Sequence, residues 1–192
     1  MVEENKEEDE LYTYVRSFED EIVYKIIILG DPAVGKTSLV KSYIEPEHFE
    51  ERYLPTIGVA ISKKELEVDG KKITLMLWDI AGQPQFYLLH KVYYNGANAA
   101  VLACDLTRAH TLMNLKKWHK ELSKYGLRDI PMMMVGNKKD LSQKMIIRPQ
   151  IEHQAEQLGI GAENVMLTSA KTNENVEDMI QKLTALMLGK KS

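Results

Sequence analysis

Apolar residues come along this chain in short runs, separated by segments with helical spacing. Ile22–Leu29 is a β-branched run that fits a strand buried on both faces. Positions 59–68 and 72–78 read as two more strands, joined through Val68-Asp69-Gly70-Lys71, where Asp-Gly is a strong two-residue hairpin signal. Apolar runs at 99–104, 132–135 and 165–167 predict three further strands. Helical spacing fills 35–44, 86–95, 111–125, 149–158 and 174–188, with Asn173 as a cap for the last. Strands alternating with helices imply βαβ units. The expected fold is α/β: a six-stranded, mostly parallel sheet with one antiparallel edge strand and about five helices on both faces.

Composition narrows the class. A chain of 192 residues fits one domain and can bury a core without staples. One cysteine rules out an internal disulfide. No apolar run approaches the ~20 residues that span a bilayer, and the acidic N-terminus lacks the pattern of a secretory signal. A cytoplasmic protein is expected. The net charge of −3 is uneven: residues 1–21 carry nine acids and two bases, a net −7, which leaves +4 on the rest. This divides the chain into a disordered acidic arm at 1–21, a globular domain at 22–188 and a short tail at 189–192. The basic residues are scattered without aromatic interleaving, so nucleic acid is not an expected partner.

In a parallel α/β sheet, ligands bind outside the carboxyl ends of the strands. After the first strand comes Gly30-Asp31-Pro32-Ala33-Val34-Gly35-Lys36-Thr37, followed by Ser38, a G-x-x-x-x-G-K-T phosphate loop in its strand–loop–helix setting. Its glycines let successive N–H groups turn toward phosphate oxygens, and the next helix aims its positive end at them. Lys36 is placed to neutralise the terminal phosphates and Thr37 to offer a hydroxyl to Mg²⁺. After the fifth strand stands Asn137-Lys138-Lys139-Asp140, and after the sixth Ser169-Ala170-Lys171. Asp140 can accept two hydrogen bonds from the guanine edge, a pair that adenine does not offer. Lys138 can lie over the base, and the Ala170 N–H can meet the guanine carbonyl.

GDPAVGKT, PTIG, WDIAGQ, NKKD and SAK, in this order, resemble the motifs of Ras-superfamily small GTPases, most closely the Rab branch. The stretches 92–97 and 101–107, with Trp118, look Rab-like as well, and the resemblance covers about 22–188, which it implies is a G domain. It implies GTP and GDP binding with Mg²⁺, and a hydrolysis rate on the order of 10⁻⁴–10⁻³ s⁻¹ that a GAP accelerates. By position, Thr56 matches the switch I threonine that holds Mg²⁺, and Asp79 would hold it through water. Phe49, or His48 in competition with it, matches the aromatic beside the guanine. Gly82 would touch the γ-phosphate and Gln83 would orient the attacking water, so Gln83, Lys36 and Thr56 form the implied catalytic set. The implied effector surface is Ile57, Gly58, Ile61, Trp78 and Tyr93. Effectors, a GEF and a GAP are the implied partners of a monomeric switch, in trafficking or signalling.

The pattern also has departures. Pro32 and Pro84 stiffen the loop and the start of switch II, which keeps a nucleotide-holding pseudo-GTPase as an alternative. A P-loop ATPase or kinase is a second alternative, against which Asp140 argues. Ala60 and Ile61 replace the Asp-Phe of the Rab signature. Arg52 is the one arginine near a cis-finger position. The last residues, Leu188-Gly189-Lys190-Lys191-Ser192, hold no cysteine, so no prenyl anchor is expected from them. The five histidines show no metal-ligand spacing, and Cys104 reads as a core thiol.

Overall fold

The computed structural model of the chain describes residues 22–47 and 55–189. His48, Phe49 and Arg52, the acidic arm and the last three residues lie outside them. Six strands form one sheet: β1 (Ile22–Leu29), β2 (Val59–Val68), β3 (Lys71–Ile80), β4 (Ala99–Asp105), β5 (Met132–Asn137) and β6 (Val165–Leu167). Their order is β2-β3-β1-β4-β5-β6, with β2 antiparallel to β3 and every other pairing parallel. The β2–β3 hairpin turns at Asp69 and Gly70, both with positive φ (54° and 73°), as a type I′ turn requires.

Burial follows strand position. All seven residues of central β4 are buried, whereas edge strand β2 largely alternates between half-buried and exposed residues. The pleat of β1 sends Ile27 and Leu29 to one face and Ile26 and Ile28 to the other. On the first face they meet α2 (His90–Tyr94), α3 (Ala109–Lys124) and α4 (Arg148–Gln157), through Tyr94, Leu115, Trp118, Leu122 and Ile151. On the second they meet α1 (Lys36–Ile44) and α5 (Val176–Met187), through Leu39, Val40, Tyr43, Val176, Ile180 and Leu183. Leu115 and Leu122 on α3, like Val176, Ile180 and Leu183 on α5, recur at three-, four- and seven-residue spacings, so one stripe of each helix faces the sheet.

Two expectations change. The segment expected as a helix over 86–95 is a 3-10 turn at Pro84–Leu89 followed by the five-residue α2. Pro84 starts the turn without a donor of its own, and Gly96, at φ 72°, stands just past its end. Asn173 does not cap α5. That position belongs to Asn175, whose amide donates to the Leu167 carbonyl at 2.7 Å and ties the helix start to the end of β6. Asn173 instead accepts from Ser42 on α1 at 2.8 Å.

Candidate functional site

The loop 30–37 leaves β1 and enters α1 at Lys36. Gly30, Ala33 and Gly35 all have positive φ (144°, 60° and 98°), a run of turns that curls the backbone into a concave shape suited to an anion. Two glycines are fixed by space as well. A Cβ on Gly30 would lie 2.2 Å from the Ala103 carbonyl oxygen, and one on Gly35 would lie 2.3 Å from the Asn137 amide nitrogen. Lys36 is buried, and its ammonium donates to the Gly30 and Asp31 carbonyls at 2.8 and 3.0 Å. Burial pulls its pKa down to about 8. The nearby acids Asp79 and Asp31 oppose that shift, and Arg108 adds to it.

Beside Lys36 three oxygens from three segments converge. The Thr37 hydroxyl donates to the Asp79 carboxylate at 2.5 Å, the Thr56 hydroxyl donates to the same oxygen at 2.9 Å, and the two hydroxyls lie 2.8 Å apart. Asp79 is 1 % exposed at the end of β3, and its other carboxylate oxygen is buried without a hydrogen-bond partner among the described residues. Oxygens on an octahedral cation at ~2.0–2.1 Å stand about 3 Å apart, close to the spacing of these three. A hard divalent cation therefore fits the donor set, with Thr37, Thr56 and Asp79 to hold it and Asp79 to supply charge.

The chain after β3 closes over the loop. A Cβ on Gly82 would stand 2.5 Å from the Gly30 oxygen and 2.8 Å from the Pro32 nitrogen, so the two backbones touch. Gln83 follows, its side-chain oxygen buried and without a hydrogen-bond partner among the described residues.

The ends of β5 and β6 form the other half of the cleft. Asn137 is 1 % exposed and acts as a tie: it donates to the Val34 carbonyl at 2.9 Å and accepts from the Ala170 N–H at 3.2 Å. The expected base-contacting N–H of Ala170 is thus turned toward Asn137. Asp140 accepts from the Ser169 hydroxyl at 2.7 Å and stays exposed at the rim, with Lys171 also exposed. Lys138 has φ 68°, and its ammonium pairs with Asp105 at 2.6 Å. Lys139 turns away to pair with Glu174.

A brace from β4 and α3 supports the loop, and motif reading did not include it. Asp31 accepts from Asn114 at 2.7 Å and from the Trp118 indole at 3.1 Å. Asn114 and Trp118 stand four apart on α3, so their spacing was the available signal. Arg108, also unassigned, donates to Asp105 at 2.8 Å and to the Pro32 carbonyl at 3.1 Å. Burial alone would raise the Asp105 pKa, but hydrogen bonds from Lys138, Thr107 and Arg108 bring it below the ordinary value.

On the outer side, Ile61 faces Trp78 across β2 and β3, and Trp78 lies 6.5 Å from Tyr93, centroid to centroid. A Cβ on Gly58 would come within 3.2 Å of the Tyr93 hydroxyl, and Ile57 is 84 % exposed. These five residues share one surface. The Lys25 ammonium sits 3.5 Å from the centre of the Trp78 ring. Among the described residues no helix is long and apolar enough to cross a membrane.

Residues 25–188 match the Ras family. The chain is 36 % identical over 171 residues to the Ras-related protein Rab-19 of Homo sapiens, covering 88 % of this chain and 77 % of that protein. It is 33 % identical over 165 residues to the Ras-related protein SEC4 of Saccharomyces cerevisiae, covering 86 % and 75 %. With the Ras-related protein RABD2b of Arabidopsis thaliana the identity is 34 % over 168 residues, covering 87 % and 81 %. Similarity of that extent, over a sheet of this order, makes the chain a member of the Ras family: a Rab-like small GTPase.

Proposed function

We propose that this GTPase binds GTP and GDP with Mg²⁺ in the cleft outside β1, β3, β5 and β6, and that it acts as a Rab-like trafficking switch read by effector proteins. The convergence of Thr37, Thr56 and Asp79 carries this reading, because it joins the phosphate loop, the segment before β2 and the end of β3 at one point. A switch needs such a point, where one ligand decides whether distant segments hold together.

The residues then have distinct tasks. Lys36 neutralises the terminal phosphates from its buried position. Asp140, held by Ser169, reads the guanine edge. Asn137 ties the base loops to the phosphate loop without taking up the base itself. Mg²⁺, when bound, offsets charge on the polyphosphate. Gly82 brings the following segment against the loop, and Gln83 offers its amide oxygen to a water in line with the terminal phosphate. The protein contributes position and charge, and water is the nucleophile. Ile57, Gly58, Ile61, Trp78 and Tyr93 form the surface that effectors read, close enough to these segments to report their state. A GEF and a GAP complete the cycle. The single domain spans 22–188.

The test is competition and turnover on the purified chain. Fluorescent GDP should be displaced by GTP and GDP and not by ATP, and release should quicken when Mg²⁺ is chelated. Single-turnover hydrolysis of GTP should slow in Gln83→Leu. Equal displacement by ATP would end the guanine assignment, and an unchanged rate in Gln83→Leu would end that of the glutamine.

A further inference from the structure

Arg108 is the residue just beyond β4 that begins α3, with extended backbone (φ −134°, ψ 96°). Its guanidinium bridges two groups. Nε donates to Asp105 Oδ2 at 2.8 Å and Nη2 donates to the Pro32 carbonyl at 3.1 Å. Asp105 is a firm anchor: its carboxylate is 1 % exposed and also accepts from the Thr107 N–H at 2.9 Å and the Thr107 hydroxyl at 2.7 Å. The Lys138 ammonium takes Oδ2 as well, at 2.6 Å. One buried carboxylate therefore connects the base loop, through Lys138, with the phosphate loop, through Arg108.

The Pro32 carbonyl is a consequential place to hold. In a trans peptide the C=O and the next N–H point in opposite directions. Fixing the Pro32 oxygen on one side fixes the Ala33 N–H on the other. Ala33 lies in the left-handed region at φ 60°, a conformation unfavourable to a non-glycine residue unless its surroundings hold it. Pro32 itself has no N–H, so its carbonyl is the only backbone hydrogen-bonding group by which it can be held. A planar fork can serve both acceptors at once, and an ammonium on a flexible stem cannot do so in a fixed geometry.

Resting on the nucleotide reading above, we propose that Arg108 is a positioning residue for the phosphate loop, aiming the Ala33 N–H at the polyphosphate by bridging Asp105 to the Pro32 carbonyl. Arg108 thereby supplies in cis a loop-holding arginine that no motif of the chain records.

The experiment compares the full chain with Arg108→Ala, Arg108→Lys and, as a control for lost charge, Arg148→Ala, whose arginine pairs with Glu152 on α4. The readouts are the ³¹P resonances of bound GDP and of a slowly hydrolysed GTP analogue, and the release rate of fluorescent GDP. Arg108→Ala should move the phosphate resonances and speed release about tenfold, as loss of one charge-assisted hydrogen bond implies. Arg108→Lys should fold and still show moved resonances, and Arg148→Ala should match the wild type. Wild-type resonances and release in Arg108→Ala overturn the proposal. If that variant does not fold, wild-type values in Arg108→Lys overturn it instead. A wild-type chain that holds no guanine nucleotide overturns the nucleotide reading and this inference together. Normal wild-type binding with silent Arg108 variants overturns the inference alone.

Discussion

Trp118, midway along α3, donates its indole N–H to Asp31 in the phosphate loop at 3.1 Å. The same ring lies 5.6 Å from that of His90, the first residue of α2, just after the segment that closes over the loop. Trp118 thus links the phosphate loop to the start of α2.

Trp118→Phe should keep most of the packing and remove the donor, leaving Asp31 with Asn114 as its remaining α3 partner. Losing a hydrogen bond to a charged group costs roughly 1.5–3 kcal/mol. The expected outcome is faster GDP release with a small fall in thermal midpoint, measured by fluorescent-nucleotide chase and melting. Release at the wild-type rate would remove the brace from the account.

Gly82 predicts a sharper effect. Its missing side chain would meet backbone atoms of Gly30, Asp31 and Pro32 at 2.5–2.8 Å, and backbone cannot swing aside as a side-chain tip can. Gly82→Ala should push the closing segment off the loop and misplace Gln83, with GDP binding much less affected. A misplacement near 1 Å can cost ~10²-fold in rate. Single-turnover GTP hydrolysis checks this, and a rate within twofold of wild type would show that the contact is dispensable.

What the sequence made legible follows from which interactions are local. Strand β1 runs over the residues its β-branched pattern marks, and the Asp69-Gly70 turn folds as its residues require. Both depend on neighbours in the chain. The phosphate loop was legible for the same reason: eight consecutive residues build it. The brace was not. Asp31 meets Asn114 and Trp118 across 83 and 87 positions, and Arg108 meets Pro32 across 76. Those pairings exist because β1 and β4 are sheet neighbours, which places the start of α3 beside the loop. The role of Asn137 was half legible: its motif marked it, while its ties to Val34 and Ala170 required the fold. The cap on α5 moved from Asn173 to Asn175 because the tie to Leu167 is tertiary.

Asp79 receives both threonine hydroxyls on one oxygen, and its other oxygen is buried without a hydrogen-bond partner among the described residues, which leaves an acceptor open to a cation. Asp79→Asn keeps the shape and removes that charge. In the wild type, chelating Mg²⁺ should accelerate GDP release. In the variant, release should be fast with or without chelator. A full chelator response in Asp79→Asn would show that the cation is held elsewhere.

Cys104 is the one cysteine of the chain and is wholly buried in β4. Burial, with the neighbouring Asp105 carboxylate, pushes its thiol up to about 12. The native protein at pH 8 should not react with a thiol-specific reagent, and the unfolded chain should take up one equivalent. Rapid native labelling would mean that β4 opens, because no static path leads to that sulfur.

Lys36 sets a pH dependence with an unusual sign. Burial holds its pKa near 8, below its ordinary 10.5. Below about pH 8 the ammonium is charged in folded and unfolded chains alike, and the nucleotide-free fold bears the full cost of burying it. Between 8 and 10.5 the folded chain has shed the proton that the unfolded chain still holds. The unfolded state then binds more protons, so stability rises with pH across that window. Nucleotide affinity should move the other way, because a neutral amine attracts phosphate less. Denaturant melts of the nucleotide-free protein from pH 7 to 10, beside GDP titrations at each pH, read both slopes. Lys36→Met should flatten the first slope attributable to this site and weaken GDP binding at every pH. Parallel slopes for stability and affinity in the wild type would mean that Lys36 is not the group responsible.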